Sequence, residues 1–178
     1  MKAVRFHGRG GQGVVTAADL LAIAAFHDGK YSAAFPSFGS ERRGAPVVAF
    51  CRIDSRPIRG RSQIYSPDYI IVQDATLLDV VNIFDGLKDE GKAIINTEKA
   101  LKPKTKAEVR TINGTKIALE ILGVPIVNTL MLGAFAASTG EISLAGLEKA
   151  IRGRFPEKLA KKNVAAAEAA YKMAGGKA

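Results

Sequence analysis

The chain has 178 residues, 47% hydrophobic and 24% charged, and a formal net charge of +9. That length and balance exclude a disordered polymer and suit one core-forming unit, read as a single domain over 1–178 with a flexible tail at 172–178. No uninterrupted apolar run is long enough to span a bilayer and no secretory leader pattern opens the chain, so the expectation is a cytoplasmic protein with no membrane partner. Its one cysteine, Cys51, excludes an internal disulfide and any zinc or iron–sulfur centre held by a cysteine cluster of this chain.

In chain order, the apolar Ala3-Val4-Arg5-Phe6 reads as a strand that runs into His7-Gly8-Arg9-Gly10-Gly11-Gln12-Gly13 and emerges in a helix over 13–26. Gly8, Gly10 and Gly13 stand at G-x-G-x-x-G spacing, which serves a tight turn, bare backbone beside a ligand and close helix–strand packing. Amides at such a helix start face outward with the positive end of the macrodipole and form a ready anion site. The spacing leaves a ligand-free turn equally open. The second strand, Tyr31-Ser32-Ala33-Ala34-Phe35, ends without the carboxylate that would hold a ribose, which disfavours ordinary NAD binding. Small residues Val14, Ala17, Ala18, Leu21, Ala22 and Ala25 give the helix a stripe for close packing; His27 is its end and Gly29 its stop.

Next comes Phe35-Pro36-Ser37-Phe38-Gly39-Ser40-Glu41-Arg42-Arg43-Gly44-Ala45-Pro46, which mixes aromatics with fixed charge. Arg42 and Arg43 present planar forks of donors suited to phosphate or carboxylate. A surface loop in which Glu41 simply pairs with an arginine is the alternative. A strand over 46–53 carries Cys51 as a small buried hydrophobe, and a turn at 54–57 with a short return near Ile58 predicts an edge hairpin. The apolar strand 69–74 is that of a sheet covered on both faces, and Asp74 at its end, where parallel sheets also place ligands, reads first as the cap of a helix over 76–87. Strands follow at 92–96 and 108–112, the second leading into a helix over 115–122. Pro125 marks the start of an apolar helix whose Asn128, Thr129 and Gly133 imply close packing, and helices at 144–152 and 157–173 complete the chain.

The positive charge falls in two groups, Arg42, Arg43, Arg52, Arg56, Arg59 and Arg61, then Lys99, Lys102, Lys104 and Lys106. There is little aromatic interleaving for base stacking, so the charge equally suits an acidic partner subunit or an anionic cofactor.

Together the glycine stretch 7–13, the stretch 35–46 and Val127-Asn128-Thr129-Leu130-Met131-Leu132-Gly133-Ala134-Phe135 resemble the gamma subunit, or gamma domain, of the 2-oxoacid:ferredoxin oxidoreductases. Within that family the likeness is greatest to the pyruvate:ferredoxin (pyruvate synthase) branch, and it covers nearly the whole chain. The resemblance implies a three-layer, Rossmann-like α/β domain with a mostly parallel sheet and an edge hairpin, docked against alpha, beta and delta chains. It implies an enzyme that decarboxylates a 2-oxoacid on thiamine diphosphate and magnesium, passes electrons through 4Fe–4S clusters to ferredoxin, and releases the acyl group on coenzyme A. This chain has neither the cysteines nor a Gly-Asp-Gly…Asn pattern for that chemistry, so it is expected to hold no metal and no catalytic residue. Gly8, Gly10, Gly11, Gln12, Gly13, Arg42, Arg43 and Asn128 are the residues assigned to the coenzyme A site, with the amides of Gly10, Gly11, Gln12 and Gly13 and the two arginines on its phosphates. The competing expectation makes the same loops subunit contacts. Apolar surface around Phe35 and Phe38 would let the isolated chain pair with itself. From another class, a free-standing basic domain binding nucleotide or nucleic acid rests on net charge alone.

Overall fold

In the computed structural model, which describes residues 1–37 and 43–176, the apolar runs pair into one six-stranded sheet of order β2-β3-β1-β4-β5-β6. β1 (Lys2–Arg9) lies parallel to β4 (Tyr69–Val72), followed by β5 (Lys92–Asn96) and β6 (Glu108–Ile112), also parallel. On the other flank of β1, β3 (Pro46–Asp54) and β2 (Tyr31–Pro36) form an antiparallel edge hairpin, with Tyr31 opposite Asp54. The α/β class, the mostly parallel sheet and the edge hairpin are as expected, but the partner of β3 is β2 and not a return near Ile58. After Asp54 the chain turns its carbonyls inward instead: Arg52 donates to the carbonyls of Gly60 at 3.2 Å and Ser62 at 2.7 Å.

The five helices α1 (Val14–His27), α2 (Gly114–Ile121), α3 (Asn128–Thr139), α4 (Leu144–Arg154) and α5 (Glu157–Met173) all feed one core on one face of the sheet. Val4 and Phe6 of β1, Ile71 of β4 and Ile94 of β5 supply the sheet side of that core. α3 is buried on nearly all sides, which is why it lacks a polar stripe. Its polar members are engaged or tightly packed: the Thr129 hydroxyl donates to Asn163 Oδ1 at 2.7 Å, and Gly133 faces the backbone of Ala167 so closely that any Cβ would overlap its carbonyl. The helix begins at Asn128 and not at Pro125, because Ile126 N–H donates to the Val124 carbonyl and the helical ladder opens only with Val127.

The opposite face has a different cover. The helix expected over 76–87 is a five-residue 3-10 helix, Ala75–Asp79, followed by turns. The cause is a buried arginine: Arg5 Nη2 donates to the carbonyls of Ile83 at 2.9 Å and Asp85 at 2.6 Å, groups a continuous helix would have turned along its own axis. Arg5 Nε donates to His7 Nε2 at 3.0 Å, and both side chains are buried. Burial, then the charge of Arg5, pushes the His7 pKa down to about 3, so the imidazole is neutral. Further along, Arg52 lies over the Phe35 ring at 5.1 Å, and Phe35 packs on Phe50 at 5.4 Å between centroids. Phe35 is therefore core, not the exposed apolar surface expected of it; Phe38 lies outside the described residues. Cys51 is fully buried, and burial drives its thiol pKa well above the ordinary value, which suits a packing residue. Among the described residues no helix is long and apolar enough to cross a membrane. α5 carries the chain through Met173, so the start of the expected tail is helical.

Two outcomes follow from this packing. Gly133→Ala forces α3 and α5 apart and should destabilise the chain by about 1–3 kcal/mol in urea unfolding; an unchanged midpoint would contradict the backbone contact. His7 binds a proton near pH 6.5 when unfolded but only near about 3 when folded. Stability is thus complete above pH 6.5 and falls as pH drops toward 3, by up to about 1.4 kcal/mol per pH unit. His7→Gln, which keeps a neutral acceptor for Arg5, should remove that part of the acid slope; superimposable wild-type and variant pH profiles would refute the assignment.

Candidate functional site

β1 passes its chain to α1 on one face of the sheet, while β4 passes its chain to the 3-10 helix on the other. A crevice opens at the carboxyl ends of these two adjacent strands, the topological switch point where open α/β sheets place ligands. The glycine stretch forms one wall. Gln12 N–H donates to the Arg9 carbonyl at 3.0 Å, closing the turn, and Gly13 takes φ 72° as the residue before α1. A side chain at Gly13 would be strained by that angle and would meet Asn128 Nδ2 at 2.5 Å.

The second stretch is drawn onto this loop. Gly10 N–H donates to the Ala45 carbonyl at 2.9 Å, Gly44 N–H to the Gly10 carbonyl at 3.0 Å, and Arg43 bridges Gly10. The Arg43 stem passes 3.9 Å from where a Cβ on Gly11 would stand, with the residue exposed. Arg42 lies outside the described residues. Of the four loop amides expected to face a ligand, two are therefore engaged internally, those of Gly10 and Gln12. Gly11, Gly13 and the first turn of α1, at Val14, Val15 and Thr16, have no acceptor among the described residues. They line an opening of about 280 Å³ together with Arg9, Gly10 and Val47. α1 has neither a side-chain cap nor an acidic residue in its first turn, so among the described residues no capping side chain or first-turn carboxylate neutralises its positive end.

Asn128 is brought to the same place. It is buried at the start of α3, its Oδ1 accepts from Thr129 N–H at 2.9 Å, and its Nδ2 faces Gly13 with no acceptor among the described residues. Gly8 is not. It is buried in β1 beneath the loop, where a Cβ would stand 2.6 Å from Val14 Cγ2, so it serves helix–strand packing.

Sequence reading missed how Gln12 and Asp74 act together. Gln12 Oε1 accepts from Arg9 N–H at 2.7 Å and its Nε2 donates to Asp74 Oδ2 at 2.9 Å. Arg9 Nε stands 3.2 Å from the same Asp74 oxygen, and Thr76 donates to Asp74 Oδ1 from its N–H at 3.0 Å and its hydroxyl at 2.6 Å. Asp74 is thus the expected cap, here of the 3-10 helix, and also the post to which the glycine loop is tied. Burial alone would raise its pKa, but hydrogen bonds from Thr76 and Gln12 and the charge of Arg9 hold it below the ordinary carboxylate range. A polar pair closing an apolar strand, Gln73-Asp74, was the available signal. On the far side of Gln12 a cleft of about 610 Å³ opens over Gln73, Asn96 and Thr115, and an apolar groove with exposed Val124, Ile126 and Leu159 flanks Gly13. Among the described residues no three His, Cys, Asp or Glu side chains are grouped to hold a metal ion.

The family model described as pyruvate ferredoxin/flavodoxin oxidoreductase matches residues 3–173. The chain is 61% identical over 155 residues to pyruvate synthase subunit PorC of Methanosarcina barkeri, covering 85% of each chain. It is 55% identical over 178 residues to the common gamma subunit of the pyruvate/ketoisovalerate oxidoreductases of Pyrococcus furiosus, covering 96% of each. The crystal structure of pyruvate oxidoreductase subunit PORC from Thermotoga maritima superimposes with a TM-score of 0.84 at 36% identity, covering 96% of this chain and 95% of that one.

The brace has a direct test. Gln12→Ala and Asp74→Asn should each destabilise the chain by about 1–3 kcal/mol, since each releases hydrogen bonds to a charged group. Combined, they should fall short of additivity by at least about 0.5 kcal/mol in a double-mutant cycle; strict additivity would mean that the loop does not hang on Asp74.

Proposed function

The chain belongs to the pyruvate ferredoxin/flavodoxin oxidoreductase family, as a gamma subunit of a 2-oxoacid:ferredoxin oxidoreductase, and from that premise we propose that its own role is to hold the phosphates of coenzyme A. The observation that carries this reading is the uncapped start of α1, where the amides of Gly11, Gly13 and the first turn have no acceptor among the described residues and Arg43 lies beside Gly11. A diphosphate suits that arrangement: backbone donors and a helix dipole take the non-bridging oxygens, and a guanidinium supplies a mobile countercharge. Arg42, the neighbour of Arg43, is assigned to the same phosphates, and Asn128 Nδ2 adds a neutral donor beside Gly13.

The whole chain, 1–178, acts as one gamma domain among alpha, beta and delta partners. The enzyme converts a 2-oxoacid such as pyruvate to its acyl-coenzyme A and carbon dioxide while reducing ferredoxin, or runs in reverse. Thiamine diphosphate, magnesium and the 4Fe–4S clusters belong to partner chains, since one buried Cys51 offers a cluster no ligand set. The name of the Pyrococcus relative, a subunit common to two oxidoreductases, supports placing 2-oxoacid selection in those other chains. The groove of Val124, Ile126 and Leu159 beside the loop is the surface assigned to a partner subunit, so the phosphate and assembly roles adjoin. The assembly works in the cytoplasm. A free-standing nucleic-acid-binding domain is set aside by the family, and its premise weakens because Arg5, Arg9 and Arg52 bind within the chain itself.

Arg43→Ala in the assembled complex tests the reading. The expected result is a rise of roughly tenfold in the apparent KM for coenzyme A, with kcat at saturation and the subunit stoichiometry unchanged. Loss of subunits at unchanged KM would reassign the loop to assembly, and an enzyme altered in neither respect would remove Arg43 from both roles.

A further inference from the structure

Arg9 engages every nitrogen of its guanidinium inside the chain. Nη1 donates to the Gly44 carbonyl at 3.0 Å, Nη2 donates to Thr76 Oγ1 at 2.7 Å, and Nε lies 3.2 Å from both Thr76 Oγ1 and Asp74 Oδ2. One side chain thus joins the glycine loop, the segment 44–45 and the segment 74–76 at the carboxyl ends of β1 and β4. A planar fork spans acceptors on several sides of it, whereas a lysine ammonium gathers its acceptors about one atom.

What this join fixes is Arg43. Gly44 takes φ 80°, a left-handed conformation that suits glycine, immediately after it. Gly44 N–H donates to the Gly10 carbonyl at 3.0 Å and the Ala45 carbonyl accepts from Gly10 N–H at 2.9 Å, so the backbone beyond Arg43 is tied to the glycine loop. The Arg9 bond ties the same backbone, through Thr76 and Asp74, to the β4 side of the crevice. The charges divide accordingly. Arg9 faces the Asp74 carboxylate, and that pair is neutral in sum, whereas Arg43 is exposed and forms no ion pair with a carboxylate among the described residues.

We propose that Arg9 is a positioning residue for coenzyme A: without touching the phosphates, it holds the 43–45 backbone so that Arg43 stands beside Gly11. This rests on the coenzyme A reading of Arg43. A segment ordered in advance does not have to be ordered when the ligand arrives, so Arg9 acts on affinity and not on the chemical step.

The test compares Arg9→Ala, Arg43→Ala and the two combined in the assembled complex. Arg9→Ala should raise the apparent KM for coenzyme A by roughly fivefold, with the loss in KM and not in kcat, and the double variant should stay within about twofold of Arg43→Ala. Arg9→Lys should resemble Arg9→Ala, and it takes the place of Arg9→Ala if that variant fails to assemble. Limited digestion of the full-length chain with trypsin reads the same position without coenzyme A. Cleavage of the Arg43–Gly44 bond, identified by mass, should run at least about threefold faster in the Arg9 variant than in the wild type, while cleavage after the exposed Arg61 is unchanged. A wild-type KM for Arg9→Ala beside a raised KM for Arg43→Ala would overturn the inference and leave the coenzyme A reading standing. Multiplied effects in the double variant would overturn it by placing Arg9 on the ligand itself, and a wild-type KM for Arg9→Lys by showing that charge alone matters. Unchanged cleavage at Arg43–Gly44 would overturn it as well. A wild-type KM for Arg43→Ala would overturn the coenzyme A reading of Arg43, and with it any charge for Arg9 to position.

Discussion

Among the described residues, α1 to α5 crowd one face of the sheet, and the other face is closed by backbone that forms no regular helix beyond the five residues of Ala75–Asp79. Irregular backbone can cover a sheet only if its inward carbonyls find donors, because an unpaired buried carbonyl costs as much as a lost hydrogen bond. Arg5 meets that requirement for Ile83 and Asp85, and Arg52 meets it for Gly60 and Ser62. A guanidinium is well suited to this, since it has several donors in a fixed plane and keeps its charge where an ammonium would surrender it. The consequence for His7 is direct. Wedged against Arg5 and shut away from water, it stays neutral and accepts a hydrogen bond from Arg5 Nε–H.

The same economy of donors shapes the loop above. Gly10 and Gln12 use their amides to fasten the loop to 44–45 and to Arg9, and the Gln12 side chain ties it across to Asp74. Rigidity is the result. The amides of Gly11, Gly13 and the first turn of α1, without acceptors among the described residues, are held in place by these bonds. Gly13 and Asn128 meet here because α1 and α3 converge, and no spacing along the chain announces that contact.

Net charge is a poor guide to such a surface. Arg5 and Arg52 satisfy internal carbonyls, and Arg9 is divided among Asp74, Thr76 and the Gly44 carbonyl. Among the described residues, Arg43 is an arginine that the fold both exposes and sets on the glycine loop. The apolar residues bordering Gly13 tell a similar story: Val124, Ile126 and Leu159 come from different segments and make one groove only after α5 has packed on α3.

Local chemistry made much of this legible in the sequence. Alternation and apolar runs placed the strands, and the 13–26 and 157–173 helices were read from periodicity and stop signals close to where they lie, at Val14–His27 and Glu157–Met173. The glycine stretch declared its strand-to-helix turn, and Asp74 its capping role, because both depend on φ preferences and hydrogen bonds within a few residues. Contacts between segments far apart in sequence decided the rest. Where the 76–87 pattern suggested a helix, the finished fold has turns whose Ile83 carbonyl is held by Arg5 across 78 residues of separation. Arg43 was brought to Gly10, Gln12 was joined to Asp74 across 62 residues, and Gln73 was buried with no partner for its carboxamide among the described residues. Propensity and periodicity are summed over neighbours, whereas the pairing of a buried donor is settled by whichever acceptor the finished fold brings within about 3 Å.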